Sequence, residues 1–412
     1  MSTELEQMDH ELHKLQIACA YLFSPIHARD NAFIVSLDRN MIKKAFREKA
    51  KLYHPDLHGN ETEEMILKRK ERFIKIKKSY EYLSQRVHDD RPTDVKQPEN
   101  KPQKRPVVIA VGGAKGGIGK SLVTANLSVS LSNKGLKTVA VDLDLGGANL
   151  HLYLGKTRIK KNINDFFDKK ELAISDIMEK TDFGPYLIGG DSGRLGAGNI
   201  PFARKLKLLK AIKTIDADCV VIDLGGDTSY NMLDFFLAAD QGVVMTTCDP
   251  ASYLDAYTFI KVALYRKLNR LFGPESDYSG ETTGVLKNLI QDMTLPQNGR
   301  GVSDMNVFRA KIKQECPSGL GIVNQAISGF FPHIIVNKTN DANAALEPVK
   351  RIQQVAKQNL TIDVNHLCNL PFMTDIERSA RTLVPWVSTD SNGSFALLLD
   401  GLSKTLLSNI IL

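Results

Sequence analysis

Between residues 112 and 121 the sequence reads GGAKGGIGKS, a glycine-rich run closed by a lysine and a serine. These residue types suit phosphate. Glycines let successive backbone N–H groups turn toward phosphate oxygens, a lysine reaches the β- and γ-phosphates, and the hydroxyl after it takes magnesium. The backbone of Gly116, Gly117, Ile118, Gly119, Lys120, Ser121 and Leu122 is therefore expected to cradle a nucleotide, with Lys120 on its terminal phosphates and Ser121 on the metal. The common pattern G-x-x-x-x-G-K-[ST] fails by one residue, because its first glycine falls on Ala114. What stands instead is K-G-G-x-G-K-[ST], with Lys115 added, and an ordinary phosphate loop has no need of that second lysine.

Further polar residues close short apolar runs downstream. DLDLGGANL places Asp144 and Asn149 after one run, VVIDLGGD places Asp223 before the pair Gly225–Gly226, IIVNK carries Asn337, and LPFMTDI carries Pro371. Each aspartate alone could cap a strand end; together in this order they favour nucleotide hydrolysis. A different chemistry is suggested upstream, where YHPD places His54, Pro55 and Asp56 after a helical stretch studded with Lys43, Lys44, Arg47, Lys49 and Lys51.

The runs PVVIAVGG, TVAVDLDLGG, DCVVIDLGG, QGVVMTTCD and FPHIIVNKT alternate with helical patterns, which predicts an α/β fold: a parallel sheet wrapped by helices, its site at the carboxyl ends of the strands. The polar, glycine-containing stretch 268–330 breaks the rhythm and reads as an insertion with a middle helix, expected to form a partner-binding surface. Upstream, Ile42, Ala45, Phe46, Lys49 and Tyr53 repeat on one helical face after Asp38, a plausible N-cap; Ile66, Phe73, Ile76, Tyr80 and Leu83 repeat on another, and Leu15 to Phe23 supplies a third helix. Residues 86–105 are charged, proline-containing and nearly without large apolar side chains, as a flexible linker should be. The expected organisation is a helical domain over 1–85, a linker over 86–105, and the sheet domain over 106–412.

From about 106 to 412 the chain resembles the MinD/ParA family of ATPases, P-loop NTPases of the SIMIBI type with a deviant phosphate loop, and among them the flagellar placement protein FlhG. The resemblance implies ATP and Mg2+ as cofactors and a homodimer closed around two ATP molecules, with Lys115 reaching the partner subunit's nucleotide. It implies that Asp144 orients the attacking water or the magnesium shell, that Asn149 lies near the interface, and that Asp223 holds magnesium through water beside Ser121. Catalysis would then rest on Lys115, Lys120 and Asp144, while Asn337 contacts adenine and Pro371 marks the segment beside the base. Placement of a flagellar or polar assembly is the implied role.

Residues 12–85 resemble the J-domain of DnaJ co-chaperones, a small helical hairpin. That resemblance implies docking of DnaK through Lys43, Lys44 and Arg47, with His54, Pro55 and Asp56 as the trigger for its ATP hydrolysis. Two other roles stay open: a co-chaperone whose nucleotide domain is a targeting module, and a ParA-like DNA-partitioning ATPase.

Composition narrows the surroundings. A net charge of +7 over 412 residues reads as a solvated basic surface, and the lysine run 68–78 lacks free aromatic residues for stacking, so nucleic acid is not the expected partner. Five cysteines without a C-x-x-C pair argue against zinc and disulfides, and the absence of an apolar leader or spanning run points to the cytoplasm. The stripe Phe395, Leu398, Leu399, Leu402, Leu406 and Ile410 near the end fits a packed closing helix better than a membrane-binding one, which leaves membrane association an open question.

Overall fold

A computed structural model describes residues 14–23, 37, 39–53, 63–86, 105–169, 171–190, 200–271, 281–294, 304–339 and 341–411. The chain divides into two compact units, Met1–Asn100 and Lys101–Leu412.

The first unit contains helices α1 (14–22), α2 (Arg39–Tyr53) and α3 (Glu63–Arg86). Their apolar faces meet in one small core of Cys19, Leu22, Leu37, Ile42, Ile76 and Leu83, closed by Phe46 stacked on Tyr80 at 4.4 Å between ring centroids. The i, i+3, i+4 spacing of those residues thus becomes the shared face of α2 and α3. Lys43, Lys44 and Arg47 point outward on α2. Asp38, His54, Pro55 and Asp56 lie outside the described residues.

The second unit is an eight-stranded sheet in the order β3-β4-β2-β5-β1-β6-β7-β8. The strands are β1 (Val107–Gly112), β2 (Thr138–Leu143), β3 (Glu179–Lys180), β4 (Tyr186–Ile188), β5 (Cys219–Leu224), β6 (Gln241–Thr246), β7 (His333–Thr339) and β8 (Asn365–Pro371). All pairs are parallel except β3 with β4 at one edge. Near-continuous apolar runs suit strands covered on both faces, and successive residues serve opposite cores. In β1, Val108 and Ala110 face one layer while Ile109 and Val111 face the other.

Helix α4 (Lys120–Asn133) is buried around nearly all its circumference, and its small and polar residues are what permit this. Ser128 Oγ donates to Thr124 O at 2.7 Å, and Asn126 donates to Leu122 O at 2.9 Å while accepting from Val387 N at 3.0 Å, so no buried polar group of these residues lacks a partner there. On the opposite face lie α5 (Phe202–Ile212), α6 (Tyr230–Ala238) and α7 (Pro250–Arg270).

Among its described residues, the stretch expected to hold one middle helix contains three, α8 (Glu281–Thr294), α9 (Met305–Glu315) and α10 (Leu320–Ser328), and the departure from the main architecture begins only after α7 ends at Arg270. Their buried residues Leu286, Ile290, Phe308, Ile312, Val323 and Ile327 belong to the same core as the sheet. Helix α11 (Ala342–Val355) completes that layer. The closing helix α12 (Ser394–Ile411) buries Phe395, Leu399, Leu402 and Leu406 on the α4 side, as its stripe predicts, and is tied to α4 by Lys134 and Asp400 at 2.6 Å. Among the described residues no helix is long and apolar enough to cross a membrane.

Candidate nucleotide site

The glycine loop joins the carboxyl end of β1 to the start of α4, so backbone N–H groups and the helix N-terminus face the same space. Gly117 and Gly119 take left-handed backbone angles, φ 76° and 96°, that other residues rarely adopt. Lys120 is 7 % exposed and donates from Nζ to Lys115 O at 2.8 Å, curling the loop back on its own stem. Burial pushes its ammonium pKa down, against the opposing pull of Asp223, Asp144 and Asp227.

Two carboxylates stand at the ends of neighbouring strands. Asp223, at the end of β5, is fully buried; burial and then the Asp142 charge raise its pKa well above the usual carboxylate range. The Ser121 hydroxyl bonds to it, Thr124 Oγ1 lies 3.4 Å from Oδ1, and Oδ2 is buried with no partner. An orphaned carboxylate oxygen beside a serine hydroxyl is a hard-oxygen donor set that fits magnesium. No cluster of three or more His, Cys, Asp or Glu among the described residues could hold a metal, so phosphate and water oxygens must complete such a shell.

Asp144 packs against the glycine pair that follows β5: a Cβ at Gly225 would meet its Oδ1 at 3.1 Å. Likewise a Cβ at Gly226 would meet Gly116 N at 3.0 Å, so only glycine lets the β5 loop close on the phosphate loop. Asp142, whose role the motif leaves unassigned, is the buried anchor of the loop that follows β2. It accepts from Asp144 N at 3.1 Å and from Leu150 N at 3.0 Å, while burial raises its pKa to about 7. Asn149 Oδ1 is buried without a hydrogen-bond partner among the described residues.

Lys115 lies at the lip of the loop, 41 % exposed, and donates from Nζ to Asp249 Oδ2 at 3.0 Å. Asp249 is the N-cap of α7, accepting from Ser252 N at 3.2 Å. On the far side of the loop, Asn337 Nδ2 donates to Ile118 O at 2.7 Å, and Pro371 ends β8 paired with Thr339. Lys115, Lys120, Ser121, Asp144, Asp223 and Asn337 are thus brought around one loop. Asp142, Asp249 and Lys338 join them, and only Asp142 had a signal in the sequence, its place in D-x-D.

The family described as CobQ/CobB/MinD/ParA nucleotide binding domain matches residues 109–385, and the DnaJ domain family matches residues 35–90. The flagellum site-determining protein YlxH of Helicobacter pylori is 36 % identical over 156 residues, spanning 37 % of this chain and 52 % of that protein. The antiactivator FleN of Pseudomonas aeruginosa is 31 % identical over 229 residues, 55 % of this chain and 73 % of that one. The chain thus spans about half the length of the first relative and nearly three quarters of the second. Among solved structures, the septum site-determining protein MinD from Pyrococcus horikoshii, complexed with Mg-ADP, superposes with a TM-score of 0.49 at 20 % identity, covering 74 % of this chain and 98 % of that one.

Proposed function

The chain belongs to the CobQ/CobB/MinD/ParA nucleotide-binding family, with a DnaJ domain preceding its ATPase domain, and from that premise we propose that it is an ATP-gated dimerisation switch. ATP with Mg2+ occupies the loop: N–H groups from Gly116 to Leu122 cradle the phosphates, Lys120 leaves Lys115 O for the terminal phosphates, and Ser121 and Asp223 take the metal side. Asp144 positions the attacking water. Lys115 crosses to the nucleotide of a second copy, supplying charge in trans as an arginine finger does, so that hydrolysis and association are coupled. The observation that carries this reading is Lys115 itself, a second lysine at the lip of the loop whose ammonium pairs with the exposed Asp249 carboxylate.

The domains act as three parts, 1–85 a J-domain, 86–105 a tether and 106–412 the switch, working in the cytoplasm. The relatives named for flagellum site determination and antiactivation support a role in placing a flagellar or polar assembly, with the J-domain bringing a DnaK-type chaperone to it. The test is ATP turnover and solution mass of wild type, Lys115→Ala and Asp144→Ala, each with and without Mg-ATP. Slow turnover in wild type, a trapped dimer in Asp144→Ala and a monomer in Lys115→Ala are expected. Turnover with no ATP-dependent dimer in any variant overturns the switch.

A further inference from the structure

Asn337 and Lys338 are consecutive residues of β7, yet both reach the phosphate loop. A regular strand forbids this, because successive side chains point to opposite faces. The exception has a visible cause. Val336 pairs with Asn369 and Thr339 with Pro371, three steps on β7 against two on β8, which is a bulge carrying one extra residue. Lys338 sits in it with φ 57°, a left-handed conformation uncommon for any residue but glycine. Strain of this kind persists only where the surroundings hold it in place, and it gathers at functional sites.

The bulge delivers both side chains to adjacent carbonyls of the loop. Asn337 Nδ2 donates to Ile118 O at 2.7 Å and Lys338 Nζ to Gly117 O at 3.3 Å. In a planar trans peptide the C=O and the following N–H point in opposite directions. Drawing the carbonyls of Gly117 and Ile118 outward therefore turns the N–H groups of Ile118 and Gly119 inward, toward the space where phosphate belongs.

We propose that Lys338 is a positioning residue for the nucleotide: the β7 bulge aims its ammonium at Gly117 O, and this tether pre-forms the inward-facing N–H nest of the phosphate loop. Lys338 touches the loop and not the reacting atoms, so its contribution is to affinity. The inference rests on nucleotide occupying the loop, and its test separates the two.

A fluorescent ATP analogue with magnesium is titrated into the full-length protein, and turnover and melting temperature are measured in parallel for Lys338→Met, Lys338→Arg and Lys338→Gly. Lys338→Met, which keeps the stem and removes the charge, is expected to weaken binding about 10-fold and raise KM alike, with kcat within about 2-fold of wild type. Lys338→Arg retains affinity within about 3-fold, because the charge still reaches the carbonyl. Lys338→Gly relieves the left-handed backbone and loses the ammonium, so it binds as weakly as Lys338→Met while melting no lower than wild type. Undiminished affinity in Lys338→Met, equal losses in Lys338→Met and Lys338→Arg, or a fall in kcat at constant KM overturns the proposal. Wild-type protein that fails to bind the analogue overturns the nucleotide reading of the loop, and this inference with it.

Discussion

Lys115 Nζ and Asp249 Oδ2 lie 3.0 Å apart, joining the phosphate loop to the first turn of α7 within one chain. The hydrogen bond from Lys115 holds the Asp249 carboxyl below its usual pKa range. Both side chains are exposed, so water and salt screen the pair and its breakage is easy. In the proposed switch, Lys115 has to leave this aspartate before it crosses to a partner subunit, so the contact would be a resting position whose strength helps to set how readily the dimer forms.

Asp249→Asn tests that relationship cleanly. Asparagine caps a helix as well as aspartate does, so α7 keeps its start while Lys115 loses its charged partner. With Mg-ATP, the variant is expected to dimerise at about 3- to 10-fold lower protein concentration than wild type. Solution mass measured across a dilution series reads this directly. Unchanged or weaker dimerisation means the pair does not restrain Lys115.

A second prediction concerns Asp234, 3 % exposed on α6, the helix that follows Gly225–Gly226. Lys205 from α5 is bonded to it, and Arg266 from α7 donates from Nε to Oδ1 at 2.7 Å and from Nη2 to Oδ2 at 2.8 Å. Burial alone would raise the carboxyl pKa, but the hydrogen bonds from Arg266 and Lys205 outweigh it and hold the group below its ordinary value. A folded-state pKa lower than the unfolded one means stability that is present above the ordinary carboxylate pKa, about 3.9, and lost as pH falls through the folded value. Asp234→Asn leaves buried cations without their counter-charge and should cost about 3–5 kcal/mol at pH 7. Urea titrations of both proteins should converge as pH drops below about 4. A gap that stays constant with pH rules out the ionic account.

Much of this was legible because parallel strands covered on both faces must be apolar throughout. The runs around Val108–Val111, Val139–Val141, Val220–Ile222, Val243–Met245 and Ile334–Val336 announce themselves. Strand β4 is three residues long, and β8 mixes His366, Cys368 and Asn369 into its pattern, so neither carries a periodicity to read. At the site, the residues that a phosphate demands are written in the loop itself. Asp249 and Lys338 are not, because their positions depend on how α7 starts and on how β7 pairs with β8. Both are properties of tertiary neighbours and leave no local mark.

The three helices α8 to α10 give a third prediction. The sequence there is polar enough to suggest a free surface, yet Phe308 is 1 % exposed while its neighbour Val307 is 56 % exposed. Helical geometry divides adjacent residues between core and solvent in this way. Phe308→Ala should cost about 3–5 kcal/mol of the stability of the second unit, whereas Val307→Ala should stay within about 0.5 kcal/mol of wild type. Thermal or urea unfolding distinguishes them. Equal small effects would place α9 outside the main core and return the segment to the role of a partner surface, as its polarity suggests.

The last prediction turns on the first unit. Helix α2 presents Lys43, Lys44 and Arg47 outward while Ile42 on the same helix is buried in the core, so charge and fold can be altered separately. A DnaK-type partner docked by these cations should be released by salt, as exposed charges are screened over about 8 Å at physiological ionic strength. Lys44→Glu should then weaken stimulation of DnaK ATP hydrolysis with little change in melting temperature. His54→Gln should abolish stimulation outright while leaving the protein's own ATP turnover intact, if the tripeptide serves as the trigger that the resemblance to DnaJ implies. Steady-state phosphate release by DnaK, with each variant added in turn, measures both. Stimulation by His54→Gln equal to wild type would remove the trigger role, and no stimulation by wild type would leave residues 35–90 a J-type fold used for docking alone.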